Sequence, residues 1–293
     1  MKNLVLLLSL IYLAGCSTTK KQSTPVEESA AKVVSVPTLE LLWETDTLLT
    51  TAECVIYDKE RDQIYVANVN ENPWEKDSNG FISKLDTDGN ILELKWIDNL
   101  NGPKGMGIRG KYLFVNDIDQ IREIDIERGT LVGGTTISGD PTLNDISLDK
   151  NILYASGSNS HKIFSLKDQE VRIVLEGDLG RPNGLLLQGD KLLMLTNHTH
   201  RLVSINLMTK EQTILVDSLG HADGIVPFKD GEYIVSNWKG QIFHISKDYT
   251  RTIILDTIEE EINAADIDYI PEKQLLLVPT FFDNRLRAYK VVY

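Results

Sequence analysis

One phrase occurs six times in this chain at nearly constant spacing, and that spacing constrains the fold more than any other feature. Each copy pairs a short inner run with an apolar run that follows a turn. The copies begin at Glu53-Cys54-Val55-Ile56, Lys104-Gly105-Met106-Gly107, Asn144-Asp145-Ile146-Ser147, Asn183-Gly184-Leu185-Leu186, Asp223-Gly224-Ile225-Val226 and Ala265-Asp266-Ile267-Asp268. Their intervals are 51, 40, 39, 40 and 42 residues. A period of about 40 with several short strands per unit is that of a β-propeller blade. Equivalent positions of every blade then converge on one axis, so the six first positions form a ring. Glu53, Asn144, Asn183 and Asp223 give that ring four oxygen-bearing side chains, a donor set that suits a hard cation.

The fourth repeat predicts strands at Gly184–Leu187, Lys191–Thr196, Arg201–Asn206 and Gln212–Asp217, separated by turn residues such as Gln188-Gly189-Asp190. The sixth repeat has room for three strands only, near Ile267, at Leu275–Pro279 and at Leu286–Val292, before the last residue, Tyr293. Leu39–Thr45 has strand-like composition and precedes the first repeat. It is expected to supply the missing strand and remove an open edge. The fold class expected is therefore all-β, a six-bladed propeller over residues 37–293, closed by an N-terminal strand that completes the last blade.

Residues 1–15 read differently. Lys2 is followed by an apolar run from Leu4 to Leu13, too short to span a bilayer and laid out as a signal peptide. Leu13-Ala14-Gly15-Cys16 resembles a bacterial lipobox, which makes Cys16 the expected lipidation site and residues 16–36 a flexible tether. The chain is then expected in a bacterial cell envelope, held to a membrane by lipid. Ser17 and Thr18 lack the aspartate associated with inner-membrane retention, which tilts the expectation toward the outer membrane. Cleavage removes Lys2 and moves the formal charge from −13 to −14. An acidic surface without a basic stripe argues against nucleic acid. Cys54 is left alone, so no internal disulfide is expected, and it reads as a small buried hydrophobe. A closed ring needs no partner subunit, and a monomer is expected.

The connections between second and third strands lie on the face where the chain enters its inner strands. They bring Trp74, His161, His198, His200, Trp238, Phe281 and Phe282 around one mouth with the ring at its floor. A concave site with aromatic walls and convergent polar groups is a small-molecule pocket. Two carboxylates and two amides favour Ca²⁺, with Mg²⁺, Zn²⁺ or Mn²⁺ as alternatives. A competing reading is that Asn183-Gly184 and Asp223-Gly224 merely form turns. Lys104 departs from the oxygen pattern. Its ammonium either neutralises Glu53 and Asp223 directly, leaving a metal-free ring, or is carried up its stem toward the pocket. Asp145 and Asp266, one place further along, are expected to point away from the channel and serve turns and blade contacts.

Taken together, Glu53 before Cys54-Val55-Ile56-Tyr57-Asp58, Asn144-Asp145, Arg181-Pro182-Asn183-Gly184 and Ala222-Asp223-Gly224 resemble the metal-binding phrases of the regucalcin (senescence marker protein)/gluconolactonase family. The resemblance covers residues 39–293 and implies one divalent cation on the axis, with Glu53, Asn183 and Asp223 as ligands. Asn144 matches the further asparagine that contacts metal, water or substrate. It implies a metal-dependent hydrolase, foremost a lactonase acting on a sugar lactone or related cyclic ester. In that reaction Asp223 is expected to act as general base, Asn144 to orient water and Lys104 to stabilise the oxyanion. No Gly-x-Ser-x-Gly elbow points to a serine esterase. The alternative is a non-catalytic ligand-binding or scaffold propeller tethered to the membrane.

Overall fold

Each of the six repeats folds into one four-stranded antiparallel sheet. The computed structural model describes residues 36–139 and 141–293, together with Met1. The expected signal peptide after Met1, the expected lipidation site Cys16 and all but the last residue of the expected 16–36 tether lie outside the described residues. Every regular element among those described is a strand. The architecture is a six-bladed β-propeller.

Blade 4 follows the expected pattern closely, with strands Pro182–Gln188, Lys191–Thr196, Arg201–Asn206 and Gln212–Val216. Blade 6 combines Asp268–Ile270, Leu275–Pro279 and Leu286–Val292 with the N-terminal strand Thr38–Glu44, which pairs antiparallel along Leu286–Val292. Closure continues at the centre, where Asp266 N donates to the Glu53 carbonyl and Val55 N donates to the Asp266 carbonyl. The first and last blades are thus joined both at the rim and at the axis.

Packing follows from alternation along strands that are covered on both sides. Six apolar clusters occur, one at each junction between neighbouring blades. Leu192, Leu195, Ile234 and Val235 are wholly buried in them, and burying such a side chain is worth about 1.5–3 kcal/mol. Cys54 is buried and unpaired, as a small hydrophobe should be.

The inner strands carry a second device. Their outward backbone groups have no strand partner, and an unpaired buried N–H is costly. Neighbouring blades supply acceptors instead. Leu185 N donates to Asp145 Oδ2 (2.5 Å), Leu187 N to Ser147 Oγ (2.8 Å) and Tyr57 N to Asp268 Oδ2 (2.8 Å). The blade-contact role expected of Asp145 is therefore present.

In blades 1 to 5 the inner strand slips register at the ring position, between Ala52 and Cys54, Pro103 and Met106, Leu143 and Ile146, Pro182 and Leu185, and Ala222 and Ile225. Such a bulge re-aims one side chain, here the ring residue. The Asn183-Gly184 and Asp223-Gly224 pairs lie inside these bulged strands rather than in turns. Their glycines have another cause: a Cβ on Gly184 would strike the Asp223 carbonyl, and one on Gly224 would strike Asp266. Gly184→Ala is expected to cost about 3 kcal/mol, the upper part of the usual overpacking range. That amounts to a melting temperature lower by roughly 6–12 °C, measured by thermal denaturation against Gly133→Ala, where no atom crowds the added methyl and the backbone is not in the left-handed region.

Candidate functional site

The bulges deliver Glu53, Lys104, Asn144, Asn183 and Asp223 to one cavity of about 380 Å³ on the propeller axis. All are buried or nearly so; Glu53 is 6 % exposed and Lys104 1 %. Asn183 Nδ2 donates to Asp223 Oδ1 (2.6 Å), and Asn144 Nδ2 donates to Ser158 Oγ (3.2 Å). Each amide thus spends its N–H on a neighbour and keeps its oxygen. Glu53 Oε2 is buried with no hydrogen-bond partner. Among the described residues no three His, Cys, Asp or Glu side chains converge as a metal cage. The ring holds two carboxylates, and its remaining oxygens are amide oxygens.

Lys104 takes the second of the courses open to it. Its ammonium donates to the carbonyls of Pro73 (2.5 Å) and Gly102 (2.9 Å) and lies 4.2 Å from the centre of the Trp74 ring. It forms no ion pair with Glu53 or Asp223. Burial pushes its pKa down to about 8, against the pull of Glu53 and Asp117. The charge stays in the wall, with its donors committed.

Electrostatics at the axis are dominated by burial. Burial, and then the charge of Asp223, hold Glu53 well above the usual carboxylate range, with Lys104 offsetting part of the effect. Asp223 is pushed up to about 7 by burial, partly countered by the Asn183 hydrogen bond. The expectation for Asp145 and Asp266 is corrected in part. Asp145 is buried and Asp266 half-buried, and although they belong to opposite blades, both line a second cavity on the axis beneath the ring, where Asp266 feels the charge of Asp145. Burial pushes Asp145 up to about 7, and burial followed by the neighbouring carboxylates raises Asp266 well above its ordinary value.

Four of the seven expected wall residues line the cavity: Trp74, Trp238, Phe281 and Phe282. Trp238, Phe281 and Phe282 pack edge-to-face, with ring centres 4.8–5.8 Å apart. His161, His198 and His200 do not line it. The reason is their place in the connection. A residue leaving the second strand faces the mouth, as Ser158, Asn197 and Trp238 do, whereas His161 and His200 immediately precede third strands and lie farther from the axis. His198 is exposed, and the His200 ring bonds the Gly220 carbonyl (2.5 Å).

Other wall residues escaped the sequence reading, among them Glu71, Arg181, Asn197 and His221. Arg181 and His221 stand two places before Asn183 and Asp223, so alternation along the entering strand was the available signal. Burial lowers the pKa of His221, assisted by the positive charges of His200, Lys239 and Arg181. The cavity is thus divided, with aromatic rings on blades 5, 6 and 1 and an arginine–amide–imidazole wall on blades 4 and 5.

No protein-family model matches the chain, and no curated sequence matches it either. Solved structures do. The chain is similar to streptogramin B lyase (TM-score 0.63, 13% identity, covering 87% of this chain and 97% of that one). It is likewise similar to a catalytically inactive virginiamycin B lyase from Staphylococcus aureus with quinupristin (0.62, 10% identity, 88% and 99%). A structure of the nidogen/laminin complex aligns at 0.61 with 17% identity, over 74% of this chain and 84% of that one. The likeness is one of fold. At these identities it places the chain among six-bladed propellers, which include enzymes and a protein of a binding complex, and leaves the chemistry to the site.

Proposed function

We propose that this protein is a divalent-metal-dependent hydrolase of cyclic esters, most simply a lactonase. The observation that carries the proposal is the floor of the axial cavity. Glu53 holds a buried, unpartnered carboxylate oxygen in the same cavity as the Asp223 carboxylate and the side chains of Asn144 and Asn183, whose amide N–H groups are already committed. Leaving such an oxygen without a partner is expensive in a finished fold. Oxygen donors of this kind fit Ca²⁺ or Mg²⁺ better than Zn²⁺. The lyases among the structural neighbours support the reading only in showing that enzymes share the fold.

Glu53, Asn144, Asn183 and Asp223 would hold the cation, which when bound would supply Lewis-acid polarisation of the ester carbonyl and lower the pKa of water. The chain's own residues do the rest. Asp223, with one oxygen bonded to Asn183, is the base that takes the proton of the attacking water. Asn144, braced by Ser158, orients that water. Trp238, Phe281 and Phe282 cover the acyl chain and exclude bulk solvent. Lys104 contributes positive charge from the wall rather than a free N–H, because its donors are engaged.

The test is metal analysis of the purified protein after equilibration with Ca²⁺, Mg²⁺, Zn²⁺ and Mn²⁺ and removal of loose ions, followed by a lactone screen. One ion per chain is expected, with lactone opening that stops on chelation and returns on re-addition. A protein that retains no ion, or turnover indifferent to chelation, would overturn the reading in favour of a ligand-binding propeller.

A further inference from the structure

We propose that the pocket is selective for an organic carboxylate, read by Arg181 together with Asn197 and His221, while the opposite aromatic wall holds the ligand's apolar part. This deepens the hydrolase reading by naming a substrate class, and it rests on the same cavity, but binding alone tests it.

Arg181 lines the cavity and is half-buried. Its protein contacts are sparse. Nη1 reaches only Asn197 Oδ1, at 3.4 Å, and Arg181 belongs to no ion pair among the described residues, although the chain carries 43 carboxylate side chains against 30 Lys and Arg. Two other arginines of the same half of the ring are paired, Arg201 with Asp217 and Arg172 with Glu170, whereas the exposed Arg251 on the outer strand of blade 5 forms no ion pair among the described residues. A guanidinium presents five donors in a planar fork that matches a carboxylate edge on, and here that fork is almost unused.

Its surroundings reinforce the point. His221 Nδ1 lies 3.5 Å from the same Asn197 Oδ1, and the His200 ring stacks edge-on against His221 at 5.5 Å. Lys239, one residue beyond Trp238, also has no ion-pair partner among the described residues, its ammonium lying 5.7 Å from the Trp238 ring. Blades 4 and 5 therefore gather cationic and imidazole groups that have no ion-pair partner among the described residues on one side of the mouth, while Glu53, Glu71 and Asp223 line the cavity elsewhere. The attraction for an anion is local to this wall.

Arg181 sits at φ +60°, a conformation where glycine or asparagine is at home and arginine is not. Thr51 and Thr142 adopt it at the equivalent places of blades 1 and 3, so it belongs to the entry into the inner strand and not to ligand binding. Lys104, the other cation of the cavity, is not the reader, because two carbonyls and the Trp74 face occupy it. One fork beside a neutral amide and an imidazole suits a monoanion better than a phosphate dianion, which asks for more donors.

The experiment titrates the protein with 3-phenylpropionate and, separately, with its uncharged amide, following tryptophan emission with and without chelator. The acid is expected to bind at least tenfold more tightly than the amide, with the advantage shrinking as salt rises. Arg181→Asn should bring the acid down to the level of the amide, leave the amide's affinity unchanged and leave the melting temperature unchanged or higher. Arg181→Gln repeats the test without altering backbone preference as strongly. Equal affinity for acid and amide in the native protein, binding of neither, or an acid preference that survives both substitutions would overturn the proposal. If a surviving preference disappears with chelator, the axial cation holds the carboxylate. That outcome overturns the Arg181 assignment while supporting the metal site, so the two readings fail separately.

Discussion

Asp223→Asn is expected to abolish turnover while making the metal-free protein more stable at pH 8. Under the proposed mechanism Asp223 is both a ligand and the base that accepts the proton of water, and an amide cannot do the second task. A loss of at least a thousandfold in kcat/KM is expected, since general-base catalysis alone contributes about 10²–10⁴-fold and metal affinity falls with it. Stability moves the other way. Asp223 is buried and titrates at about 7 instead of near 3.8, so keeping it ionised at pH 8 costs the fold about 1.4 kcal/mol per unit of that displacement. Asparagine keeps an oxygen where Asn183 Nδ2 donates and carries no charge. The metal-free variant should therefore melt higher than the metal-free native protein, by roughly 5–10 °C for a gain of a few kcal/mol. A variant that retains turnover sinks the mechanism. One that melts lower shows that Asp223 contributes to folding as an anion. On the proposed mechanism, function is bought with stability, a pattern expected of active sites.

The blade count, the closing strand and the ring were all legible before the structure, and for one reason. A propeller repeats one packing problem six times, so the apolar phrase returns at the same interval and every equivalent position shares a fate. Glu53, Asn144, Asn183 and Asp223 converge because the repeat says they must. What the repeat did not reveal is where it is broken locally. The bulges at the ring positions of blades 1 to 5 belong to backbone geometry that a residue pattern does not record, and Asp145 and Asp266 both line the axial channel against expectation. The same limit explains the histidines. Loop membership placed His161, His198 and His200 at the mouth, but a four-residue connection has an inner and an outer end, and only the inner end reaches the cavity. Arg181 and His221 were readable through alternation from Asn183 and Asp223, two places on, but neither belongs to a loop between second and third strands. Lys104 is a different case. Its position was clear, and its partners were not, because the carbonyl of Pro73 comes from a connection of another blade.

Buried carboxylates on the axis also predict an unusual response to pH. In the folded protein Asp145 and Asp223 are pushed up to about 7, and Glu53 and Asp266 are held well above their ordinary values, by burial first and neighbouring carboxylates second. In the unfolded chain such groups ionise near pH 4. Between these limits the folded state holds more protons than the unfolded state, so stability falls as pH rises. The stabilisation is complete below about pH 4 and is lost as pH passes through 7. Surface carboxylates held low by their partners, such as Asp125 beside Lys111 and Asp217 beside Arg201, destabilise only in stronger acid and leave the window from pH 5 to 8 untouched. His221, lowered by burial, acts in the opposite sense near pH 6, but it is one group against four. Lys104, lowered to about 8, restores some stability only at higher pH, where the unfolded chain keeps a proton that the fold has released. The metal-free protein should therefore melt highest near pH 5 and lowest near pH 8, with a span on the order of 10 °C for a difference of a few kcal/mol. Saturating Ca²⁺ should flatten the profile, because a cation that binds only the folded state neutralises the ring and adds its own binding energy. A metal-free profile that rises from pH 5 to pH 8 would mean that the axial carboxylates are solvated and the floor of the cavity is open. A falling profile that Ca²⁺ leaves unchanged would keep the buried acids and remove the cation.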